Sequence, residues 1–180
     1  MITTLLLLVF IFSGYAAYRR GLAVEALTAL GFVLALLIAR LCYRSVGRAI
    51  TLWIPYPSAS RASTFAFFDK TAGLTLDRSF YATFAFASVT LACFLLWRLL
   101  MTGFRELQFV TAEPQVDKWA SVLISVIVTQ IGCVLVLFIL ATLPVPSLQL
   151  HLGYSLLASA LLRYSPFISH YFINLFVLSI

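Results

Sequence analysis

Tyr15–Glu25 reads YAAYRRGLAVE. Two arginines and a glycine stand there between two long apolar runs, and Glu25 follows one turn into the second run. If the flanking runs cross a bilayer, this stretch is a tight turn at the membrane surface. Its charges then set the orientation of everything downstream.

The run before the turn, Ile2–Tyr18, is about 17 residues long, close to the lower limit for a transmembrane helix. A secretory signal would carry its basic residues ahead of the apolar core; here Arg19 and Arg20 come after it. The reversed order predicts a membrane helix that enters with Met1 outside and leaves its arginines in the cytoplasm. The run after the turn, Leu22 to about Leu41, is long enough to cross at about 1.5 Å per residue. It carries Gly31, Ala35 and Ala39 at four-residue spacing, a small-residue stripe on which another helix packs closely. Arg40, Arg44 and Arg48 follow on one face of a continued helix and snorkel to the surface.

Beyond this hairpin, Trp53–Ser60 (WIPYPSAS) ends the second helix, because two prolines impose an extended turn. Phe65, Phe67 and Phe68 make the segment up to Arg78 an aromatic-rich loop resting on the membrane surface. A third span is expected over residues 79–101, with Arg98 about a turn from its end. Residues 102–118 read as a polar loop, and a fourth span covers residues 119–143. Ser121, Ser125 and Thr129 form a second small-residue stripe there, and the mid-span amide of Gln130 requires a buried partner. After Pro144 and Pro146, residues 147–163 pattern as one amphipathic interfacial helix. Its polar side holds Gln149, His151, Ser155 and Ser159. Phe167–Ile180 is short for a span and is expected to lie on the surface or re-enter it.

The composition agrees with this plan. Of the 180 residues, 63% are hydrophobic and only 10% charged, whereas soluble domains run near 45–50% and 25%. The formal charge of +6 is therefore read as loops facing anionic headgroups and not as a nucleic-acid footprint. Charge density in the short loops keeps Arg19, Arg20, Arg98, Arg105 and Lys118 cytoplasmic and puts both termini outside. Cys42, Cys93 and Cys133 sit in three separate apolar runs without metal or redox spacing and are expected as small buried hydrophobes.

A search for chemistry finds no catalytic constellation. His151 and His170 lack a nearby carboxylate or cysteine, and no nucleophile elbow, zinc helix, phosphate loop or dinucleotide fingerprint is present. No catalytic, cofactor or metal residue is assigned. Glu25 and Arg98, both near the cytoplasmic face, are the ionisable residues within the spans that a carrier or channel would use. They pair with each other, or Glu25 pairs with Arg20 or Arg19.

On these residues the chain resembles the colicin V production protein family. Its first hairpin has an arginine and glycine followed by a glutamate, matched by Arg20, Gly21 and Glu25. Its fourth span begins with an acidic and a basic residue and then small residues at four-residue intervals, matched by Asp117, Lys118, Ser121, Ser125 and Thr129. That stripe is usually glycine in the family, so the tightest helix approach is altered here. The stretches Trp53–Ala59 and Phe67–Asp77 resemble the Gram-positive, lactic-acid-bacterial branch. The resemblance implies an all-α, four-span integral membrane protein of the bacterial plasma membrane. It also implies a role in colicin V production or export and in envelope homeostasis. The expected mechanism is a non-enzymatic, homo-oligomerising scaffold that packs through its small-residue stripes and meets a secretion or envelope partner. The rival is a small transporter or channel using Glu25 and Arg98, with Gln130.

Overall fold

The computed structural model describes residues 2–51, 76–103 and 114–164. Their elements are α1 (Ile2–Arg20), α2 (Leu22–Ile50), α3 (Leu76–Met101), α4 (Pro114–Thr142), α5 (Pro146–Gly153) and α6 (Leu156–Tyr164). Among the described residues, α1 to α4 are the helices long and apolar enough to cross a membrane, as the sequence predicts. The expected aromatic loop (52–75), most of the expected polar loop (104–113) and the C-terminal apolar segment (167–180) lie outside the described residues.

As the sequence predicts, α2 continues past Leu41 through all three arginines, 29 residues in all. The start of α4 departs from expectation. Pro114 occupies the first position of α4, where its missing N–H costs nothing and its fixed φ suits a helix. Asp117 and Lys118 therefore stand in that helix's opening turn, not in a loop.

Two interfaces build the bundle: α2 packs along α3, and α1 packs along α4, while α4 also reaches α2 and α3. The α2 stripe is used in the first of these. Ala35 and Ala39 are buried, and the same spacing continues through buried Tyr43 and Gly47. A Cβ built on Gly31 would overlap the Trp97 indole, whose Nε1 donates to the Leu27 carbonyl oxygen at 3.0 Å. Phe32 meets Phe94 edge-on at 5.5 Å, and Tyr43 meets Phe86 at 6.3 Å. Dispersion and close approach hold such an interface, because lipid tails are as apolar as the side chains. Cys42 corrects the expectation for the cysteines: it is exposed on the outer face of α2, while Cys93 and Cys133 are half-buried.

The region after Pro146 also differs. One amphipathic helix was expected; two short ones form, because the chain breaks at Tyr154–Ser155 and the Ser155 hydroxyl accepts the Ala158 N–H at 3.3 Å as a new helix start. Gln149 is buried, not on a polar face. Its Nε2 donates to the carbonyl oxygens of Ala141 (3.1 Å) and Leu143 (2.7 Å), satisfying the end of α4. Ser155 is buried too and hydrogen-bonds Thr3 of α1 at 2.9 Å.

Candidate functional site

The α1–α2 turn is a single residue wide. Gly21 has φ 83° and ψ 166°, a region that essentially only glycine occupies. Its N–H closes α1 on the Ala17 carbonyl oxygen, and its own carbonyl oxygen receives the Glu25 N–H, both at 3.2 Å. Gly21 has no side chain to cap α2, so the cap comes from α4: the Leu22 N–H donates to Asp117 Oδ1 at 3.2 Å. A Cβ on Gly21 would stand 3.1 Å from Asp117 Oδ2. Caps of this type contribute about 0.5–2 kcal/mol, and a carboxylate at a helix start also complements the helix dipole. The two halves of the motif, nearly a hundred residues apart in sequence, thus meet at one joint.

The second stripe completes that joint. Ser121 Oγ lies 3.1 Å from the Ala17 carbonyl oxygen and 2.8 Å from that of Lys118, and Ser125 Oγ donates to the Ser13 carbonyl oxygen at 3.2 Å. The Lys118 ammonium sits 5.1 Å from the centre of the Tyr18 ring, a cation–π contact. Hydroxyls replace the expected glycines here, yet the helices remain close because the Ser121 and Ser125 hydroxyls reach backbone of the facing helix. Ser121 and Ser125 are thereby engaged with α1, while Thr129 lines the cavity described below.

Glu25 is 3% exposed. Its Oε2 lies 3.8 Å from the nearest Arg20 nitrogen, an ion pair too long for a hydrogen bond, and makes no hydrogen bond. Of the partners considered from sequence, Arg20 is the one within ion-pair distance; Arg98 is exposed and acts on the carboxylate only at longer range. Ser125 borders it on the α4 side.

These groups share a cavity of about 540 Å³ floored by α4 and walled by α1 on one side and α2 and α3 on the other. Arg20, Glu25, Thr28, Arg98, Ser125 and Thr129 form its polar end, and the remainder is almost wholly apolar. Its volume falls within the roughly 300–1,000 Å³ of small-molecule sites. Gln130 is half-buried with a contact of its own and does not line the cavity. Among the described residues, no three histidine, cysteine, aspartate or glutamate side chains come together as a metal set. What the arrangement offers is a buried carboxylate, ion-paired with Arg20 and with one oxygen that makes no hydrogen bond, in a cavity that Arg98 also lines.

Sequence reasoning missed Trp97, which stands beside Arg98 and was overshadowed by that charge. Its signal was available: an indole opposite the Gly31 stripe, near a helix end. Gln149 gave no signal, because a glutamine that caps a neighbouring helix has the same local pattern as one facing water.

A family described as Colicin V production protein matches residues 2–166. An "Uncharacterized transmembrane protein YshB" of Bacillus subtilis (strain 168) is 21% identical over 170 residues, covering 94% of this chain and 93% of its own length. No solved structure matches.

Proposed function

The chain belongs to the colicin V production protein family, and from that premise we propose a small, non-enzymatic transporter or channel of the bacterial plasma membrane. Its activity supports the production or export of colicin-V-type toxins and envelope homeostasis. The observation that carries this reading is Glu25, buried with an oxygen that makes no hydrogen bond, at the polar end of an intramembrane cavity. An ionisable group inside a membrane bundle is costly and marks an ion or solute path. An unsatisfied buried acceptor likewise calls for a ligand, water or ion.

The rival scaffold reading has less support, since Gly31, Ser121 and Ser125 of its two stripes pack inside the protomer. The resemblance of Trp53–Ala59 and Phe67–Asp77 supports a Gram-positive origin.

The reading is tested in a bacterial strain whose own family member is deleted and which carries a colicin-V-type toxin operon. The wild-type chain restores toxin release, and Glu25→Gln, present in the membrane at the same level, does not. Equal restoration by both contradicts it.

The proposed orientation leaves the Arg20 end of the bundle cytoplasmic and both termini outside. In a background with the three native cysteines replaced by serine, Thr51→Cys is then labelled by an impermeant thiol reagent from outside. Thr102→Cys is labelled only after the membrane is opened. The reverse pattern overturns the orientation.

A further inference from the structure

At the opposite end of the α2–α3 pair from Glu25 lies a second cavity, of about 410 Å³. Arg44, Arg48 and Arg78 line it together with Tyr43, Tyr81 and Gly47. All three arginines are exposed. Arg44 Nε donates to the Tyr43 hydroxyl at 3.0 Å while its guanidinium lies 5.8 Å from the centre of that ring, and Arg48 Nε donates to the Arg44 carbonyl oxygen at 3.4 Å. These contacts hold the side chains in place, but none involves a carboxylate. Among the described residues, the only ion pair is at the other end of the bundle, between Arg20 and Glu25.

Three cations around one cavity, with no carboxylate partner among the described residues, need a cause. The dipole of α2 accounts for Arg48, which stands in that helix's last turn. It cannot account for Arg78, which stands in the first turn of α3, where the helix dipole is positive and repels a cation. The position along the membrane points to what balances them. Arg44 is about 33 Å along α2 from Leu22, past the roughly 30 Å of hydrocarbon, so the cavity opens at the headgroup layer. The tyrosines beside it are of the type that favours that layer.

We infer that the Arg44–Arg48–Arg78 cavity binds the phosphate of an anionic phospholipid from the adjacent leaflet. Guanidiniums suit this ligand because their planar donors pair with two phosphate oxygens at once. The site is separate from the Glu25 cavity and does not depend on any transport activity.

The test uses the purified full chain in neutral detergent, titrated with phosphatidylglycerol, phosphatidylcholine or inorganic phosphate and read by native mass spectrometry. Phosphatidylglycerol is expected to saturate a site that phosphatidylcholine fills at least tenfold more weakly, with inorganic phosphate weaker again. Each arginine-to-alanine change weakens phosphatidylglycerol by about fivefold, and the triple variant by on the order of a hundredfold. Arg98→Ala, remote from this cavity, leaves it unchanged. Arg78→Gln, on an exposed side chain, keeps the test available if the triple variant does not fold. Equal binding of the two lipids, unchanged binding in Arg78→Gln and the triple variant, or saturation by inorganic phosphate at the same concentration overturns the inference.

Discussion

Replacing Gly31 with leucine is expected to pull α2 and α3 apart at the Glu25 end of the bundle. Even a methyl group at this position overlaps the Trp97 indole. The indole must therefore leave, giving up its 3.0 Å hydrogen bond to the Leu27 carbonyl oxygen. Overpacking of this kind costs about 1–3 kcal/mol, and a lost hydrogen bond adds roughly 1 kcal/mol. No hydrophobic driving force restores the contact in lipid, where a separated helix face is already well solvated. We therefore expect a loss of about 2–4 kcal/mol, read by reversible unfolding in mixed detergent. The double variant Gly31→Leu/Trp97→Ala should recover part of it, because the leucine then fills the space left by the indole. A single variant as stable as wild type would mean that the indole does not lie on Gly31.

Changing Glu25 is expected to divide stability from function. Removing one partner of a buried ion pair costs up to about 3–5 kcal/mol when the other is left stranded. Here the Arg20 side chain is 37% exposed and the pair is 3.8 Å apart, so solvent screening reduces the figure to roughly 1–2 kcal/mol. Glu25→Gln keeps the shape and the hydrogen-bonding capacity and should cost less than Glu25→Ala. Both should nevertheless remove activity, since the charge that faces the cavity is gone in each. Arg98→Ala, on an exposed residue, should leave stability near wild type and weaken activity without abolishing it.

Much of this was legible in the residues. Apolar runs gave four spans, and the order of Arg19, Arg20, Gly21 and Glu25 gave the hairpin. The Gly31, Ala35 and Ala39 spacing identified the face that meets α3. Partners were harder to read. In a membrane bundle the faces toward lipid and toward other helices are both apolar, so periodicity does not say which helix a stripe meets. Ser121 and Ser125 therefore suggested a surface for another subunit, although they bond to α1. Asp117 looked like a loop residue because its partner, the Leu22 N–H, is 95 residues away. On charge alone Arg98 was the first candidate partner for Glu25, ahead of Arg20 and Arg19, but the ion pair is with Arg20. The one-residue turn at Gly21, which keeps Arg20 beside the start of α2, decided between them. Gln149 and Ser155 carried a surface pattern into buried positions because short helices folded against α4 and α1 have no free polar side.

The central claim is that the buried Glu25 carboxylate carries the activity of this protein. Ion flux into proteoliposomes under an imposed membrane potential, followed with a potential-sensitive dye, tests it most directly when wild type and Glu25→Gln are compared at equal incorporation. The account predicts flux through the wild-type protein and none through Glu25→Gln, with the two unfolding within about 2 kcal/mol of each other. Equal flux through both proteins, or a stable wild-type oligomer that passes no ions, would contradict it.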